Sequence, residues 1–250
     1  MNVLSRIRRA LDGFYAFLDR PIALWTRPLL VLMVIPLVLS FWFPLWRLDF
    51  KAPQYPKGLS MNIHSYKLEG GHEGKDIPEI NNLNHYIGMH KIDRSELNDL
   101  DWMPFALGLL VILALRTAAI GNVRSLIDLV VITGYVSLFA MGRFVYKLYT
   151  FGHNLDPDAA FKVPGFTPPI LGTKTIANFT VTSKPMIATY LIGLFVLGIF
   201  GVLAYHLIAG RMAASRAARG KAGREAKAPP DEPEREPGRR TTGNREVPAS

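Results

Sequence analysis

The segment NNLNHYIGMHKID, Asn81 to Asp93, gathers His85, Met89 and His90 into one short stretch. Imidazole nitrogen beside thioether sulfur is a soft donor set, suited to copper and especially Cu(I), and ill suited to magnesium or calcium. His85 and Met89 are four apart and share a face if the segment is helical, while Gly88 permits a tight turn that carries His90 round. Met61 and His64 offer further donors, and His153, far along the chain, is the candidate to meet His85 and His90 as a third imidazole. The spacing is not a metal signature of the HExxH kind, and a second reading stays open. In it Tyr86, Ile87 and Met89 pack the loop onto helix ends while the histidines cap or solvate.

His153 begins a second polar group with Asn154 and Asp156, just before Pro157, for which an Asn/Asp turn is the plain alternative. Arg143 and Lys147, four apart on one helix face, sit near the end of an apolar block. There they can snorkel to the membrane surface and pin an acidic segment, or contact an anionic lipid, a quinol or a substrate. Cysteine is absent, which excludes disulfides, thiolate metal sites and thiol chemistry within this chain. No GxSxG, P-loop or paired catalytic carboxylate stands out, so an enzyme is not expected. Haem would call for paired histidines on two helices in the bilayer, and only His206 lies in an apolar block.

The elements that must position these residues are written in long apolar blocks, which hold much of the 49% hydrophobic content. They predict an all-α membrane protein with four transmembrane helices at about 28–46, 102–120, 126–147 and 186–209. Leu4, Ile7, Leu11, Phe14 and Leu18 step by three and four, so residues 1–22 are expected as an amphipathic helix on the membrane surface. Pro36 should kink the first span, and Asp101 is the expected N-cap of the second, with Pro104 in its first turn. The glycines at 193, 198 and 201 permit close helix packing.

The net charge of +9 lies beside the apolar blocks, with five Arg against two Asp in residues 1–27 and ten Lys or Arg against six acids in 211–250. That placement fits the positive-inside rule better than a nucleic-acid partner. It predicts a multi-pass protein of a bacterial cytoplasmic (inner) membrane, both termini cytoplasmic, with the lipid bilayer and a membrane or periplasmic protein as partners. The four-helix domain, 23–210, then holds two external loops, 47–101 and 148–185, which contain His64, His72, His85, His90 and His153. Phe161, Val163, Phe166, Ile176 and Phe179 are too many apolar groups for a loose loop, so the second should pack on the first as an ordered cap. Glu69 to Asp76 is expected to be a flexible turn, and 211–250 a disordered basic tail.

At NHYIGM, and at GHNLDP followed by PP-x-LG-x-K-x-IANF, the chain resembles a group of small four-span bacterial membrane proteins found in gene neighbourhoods for nitrous oxide reductase and periplasmic copper-centre maturation. The resemblance covers roughly residues 25–210. It implies copper supply or electron delivery outside the cytoplasmic membrane, with His85, Met89, His90 and His153 on the matching motifs. The function expected is an accessory protein that binds or passes copper, or assists a partner that does. The alternative is a structural or assembly subunit of a larger membrane complex, with no metal of its own.

Overall fold

The computed structural model describes residues 3–176 and 178–227. The chain divides into two compact units, Met1–Ile208 and Ala209–Ser250, and the first holds every feature below except the end of the last helix. Helix α1, Val3–Leu18, leaves Ile7, Leu11 and Phe14 exposed along one side, and Arg124 reaches Asp19 just after it at 3.6 Å.

Three helices of the described residues are long and apolar enough to cross a membrane: α4, Asp99–Ile120; α5, Val123–His153; and the stretch Ile187–Arg216 of α6, Ile187–Lys227. Their outward faces carry Phe105, Ile112, Tyr135, Leu138 and Leu197, all exposed, a surface suited to lipid or to another apolar surface. The expected count of four spans is corrected to three. Helix α2, Thr26–Leu39, has 14 residues. At 1.5 Å per residue it measures about 21 Å, short of the roughly 30 Å of a bilayer core. The chain turns at Ser40, Pro44 cannot continue a helix, and from Trp46 the pattern changes to strict alternation.

That alternation overturns the all-α expectation. Strand β1, Trp46–Ala52, buries Trp46, Leu48, Phe50 and Ala52 and turns Arg47, Asp49 and Lys51 the other way. It is the centre of a five-stranded antiparallel sheet with β2, Tyr55–Ile63; β3, Leu68–Gly70; β4, Gly172–Ile176; and β5, Phe179–Pro185, in the order β3-β2-β1-β5-β4. Trp46 pairs with Ile63 on one side and Pro185 on the other, so both polar segments build one sheet. Trp46 Nε1 donates to Ser183 Oγ at 2.7 Å beneath it. Helix α3, Asp76–Tyr86, packs Ile80 on the inner face beside Leu59, Met61 and Val181.

In the helical part, Gly121 ends α4 in a left-handed conformation (φ 68°), and Asn122 caps α5 by accepting from Ser125 N at 2.9 Å. Ile22 N donates to Gly121 O at 2.9 Å, which ties the approach to α2 to this turn. Leu30, Leu37, Leu110, Leu126, Leu129, Phe195 and Ile199 form the core between the helices. Gly198 leaves room for Met33, whose sulfur stands 2.5 Å from where a Cβ would lie.

Three smaller expectations change. Helix α4 starts at Asp99 after Asn98, so Asp101 lies inside its first turn rather than capping it. Of residues 69–76, expected as one turn, Glu69 and Gly70 belong to β3, His72–Gly74 form a single 3-10 turn, and buried Asp76 starts α3. Helix α6 runs on to Lys227 through a stretch rich in Ala, Arg and Lys, good helix formers, so it overlaps the first part of the expected tail. The rest of that expected tail, 228–250, lies outside the described residues.

The solvent face of the sheet carries an ion cluster. Burial pushes the Asp49 carboxyl up, but Lys184 Nζ at 2.8 Å and Arg47 Nε at 2.7 Å more than offset this and hold it below its ordinary value. Glu69 is lowered by the hydrogen bond that His64 Nε2 donates at 3.0 Å, and further by Lys67. A depressed carboxylate adds stability above its unfolded value and loses it as pH falls through the folded one. The melting temperature of detergent-purified protein is therefore expected to fall as pH drops below about 5, with a shallower fall in Asp49→Asn. An acid profile identical in wild type and variant would contradict this.

Candidate functional site

Between the inner face of the sheet and the adjoining ends of α4 and α5 the structure leaves an apolar pocket of about 140 Å³. Leu48, Phe50, Met61 and Val181 form the sheet side; Trp102 and Met103 come from α4; Ala140, Phe144 and Phe151 come from α5. Met89, Ile92 and Phe166 close it from the loops. A mainly apolar space of this size can accept an apolar group such as a small ring.

Four polar or charged side chains reach its wall: Asn84, Asp99, Arg143 and Lys147. Arg143 forks onto Asp99, Nε to Oδ1 at 2.8 Å and Nη2 to Oδ2 at 3.2 Å, while Trp102 Nε1 donates to Oδ1 at 2.8 Å. Lys147 Nζ donates to the Glu96 carbonyl. Asp99→Ala takes the shared acceptor from both Arg143 and Trp102 and is expected to cost about 2 kcal/mol. Thermal unfolding in detergent checks it, and an unchanged melting temperature contradicts it.

Asn84 is 3% exposed, and its Nδ2 has no hydrogen-bond partner. It sits one turn beyond Ile80 and two beyond Asp76 on the buried side of α3. Its main-chain carbonyl accepts from Ile87 N at 3.2 Å and Met89 N at 2.8 Å, which fixes the end of the helix.

The candidate metal ligands are distributed differently from the sequence expectation. The helix stops at Tyr86 and Gly88 takes φ 78°, so His85 and Met89 do not share a helix face. Met89 packs on the apolar cluster, whereas His85 is exposed near the end of α3. His90 is exposed, its Nε2 2.9 Å from Asn154 Nδ2. His153 stacks on Tyr149 with centroids 3.9 Å apart, and its Nδ1 donates to the Tyr149 carbonyl at 3.0 Å.

The two loops do meet. Asp156 N donates to Gly88 O at 2.8 Å and Phe161 N to Tyr86 O at 2.9 Å, with Asp158 N closing a turn on Asp156 Oδ1. Gly88 is required there, because a Cβ would lie 2.8 Å from Asp156 O. Among the described residues no group of three or more His, Asp or Glu side chains converges as a metal site.

Sequence reasoning passed over Asn84, Asp99 and Trp102. A signal for Asn84 was present: the polar residues at 76 and 84 flank Ile80 at helical spacing, on the stripe that must face the core. No protein-family model, no curated protein and no solved structure matches the chain.

Proposed function

We propose that this chain is a non-catalytic membrane accessory protein whose pocket holds the apolar part of an amphiphile drawn from the bilayer. The observation that carries this reading is the apolar pocket of about 140 Å³ where the ends of α4 and α5 adjoin the sheet. Such a position gives an entering molecule a hydrocarbon side and a polar side, and the few polar groups on the wall can set its orientation. In this reading the sheet stands outside a bacterial cytoplasmic membrane and presents the bound molecule to a protein partner there.

An uncharged environment-sensitive dye such as 1-aminoanthracene tests it. One dye is expected to bind per wild-type chain, and Ala140→Phe, which fills the pocket from α5, is expected to weaken binding about tenfold or more, roughly 1.4 kcal/mol. Equal binding by a folded Ala140→Phe protein would contradict the reading.

Copper binding by His85, Met89, His90 and His153 is the second reading; the bond from Asn154 Nδ2 brings the neighbour of His153 to His90 Nε2, and that amide would have to leave for a metal to take the nitrogen. The donors as placed do not form one shell, since Met89 packs in the apolar cluster; a complete set needs that side chain to swing out. Anaerobic Cu(I) competition on wild type and a triple Ala variant at His85, Met89 and His90 separates the two readings. Stoichiometric binding lost in the variant supports copper.

A further inference from the structure

A buried polar atom without a partner on the pocket wall says what an occupant could offer. Asn84 Nδ2 is buried without a partner on the pocket wall, which it shares with Met61, Met89 and Ile92. A buried amide donor left unmatched is costly, whereas an aliphatic side chain of similar size would sit there at no such cost. Of the neighbouring charges, Arg143 is paired with both oxygens of Asp99, while Lys147 donates to the Glu96 carbonyl and keeps its charge at the exposed rim. An occupant with a carboxylate at Asn84 would lose its hydration against a single neutral donor, but a ketone or ester oxygen is matched by one.

Resting on the pocket reading above, we propose that the occupant is an uncharged carbonyl-bearing amphiphile whose carbonyl oxygen accepts a hydrogen bond from Asn84 Nδ2. Two membrane components share that chemistry, a quinone through its ring carbonyl and a glycerolipid through its ester. The backbone that carries Asn84 is fixed for either, because Ile87 N and Met89 N donate to its main-chain carbonyl at the end of α3.

Calorimetry on the full chain in detergent tests this with three probes: decylubiquinone, methyl decanoate and decylbenzene, the last without a carbonyl. Wild type is expected to bind at least one carbonyl probe about 3- to 10-fold more tightly than Asn84→Leu does, while decylbenzene binds the variant no more weakly than wild type. Dependence confined to the quinone identifies a quinone source, and dependence confined to the ester a lipid source. Equal affinities for the carbonyl probes in wild type and variant overturn the role of Asn84 and leave the pocket reading standing. Failure of all three probes to bind folded wild type overturns the pocket reading itself.

If Asn84→Leu does not fold, infrared spectra of a carbon-13 carbonyl probe on wild type decide the matter. A hydrogen-bonded carbonyl absorbs at lower frequency than the same probe in empty micelles. An unshifted band overturns the proposal.

Discussion

Gly152→Ala is expected to destabilise the protein by about 3 kcal/mol and to abolish dye binding in the pocket. Gly152 lies buried near the end of α5, where a Cβ would overlap the Phe166 carbonyl oxygen. The clash is with backbone, so no side-chain rotation relieves it. The segment through Phe166 and Pro168 must move away, which breaks the bond from Phe166 N to Gly152 O at 2.9 Å. Both residues line the pocket, so stability and binding should fall together. Thermal unfolding and dye titration on the same preparation check this, and a variant within about 1 kcal/mol of wild type would contradict the packing described.

A comparable loss is expected from Asp76→Ala. This carboxylate is 2% exposed and accepts from Ser60 N at 2.8 Å and from His72 Nδ1 at 2.7 Å. It joins the start of α3 to β2 and so holds the helix that carries Asn84 against the sheet. Hydrogen bonds to a charged acceptor contribute about 1.5–3 kcal/mol each, and the Ser60 amide loses its carboxylate acceptor in the variant; the expected cost is about 3 kcal/mol. Asp76→Asn keeps an acceptor and should lose less. Equal melting temperatures for wild type and Asp76→Ala would show that the turn at 71–76 does not depend on this group.

The helical part was legible because long apolar blocks have few alternatives to a bilayer. Its limits were less so. Leu29 to Trp46 is uncharged throughout, yet it contains two structures, because Trp46 already belongs to the alternating pattern of β1. Hydropathy averages over that change of period, whereas alternation marks it: Trp46, Leu48 and Phe50 in, Arg47 and Asp49 out.

The sheet was harder still. β1 finds β5 across more than a hundred residues, as the Trp46 to Ser183 bond shows, and no local pattern names so distant a partner. At the site, donor chemistry drew attention to His85 and His90, which are exposed, while Asn84 beside them is buried on the pocket wall. A polar residue on an apolar stripe carries more information about a ligand than exposed donors in a loop, since only the buried group bears a cost that a ligand can offset.

The most direct test of a pocket that holds a bilayer amphiphile is native mass spectrometry of the chain released from lipid nanodiscs, wild type beside Ala140→Phe. The account predicts one small molecule retained by the wild type under activation that strips loosely held lipid, and none retained by the variant. A wild type that emerges bare, or a variant that retains the same molecule equally well, would contradict it.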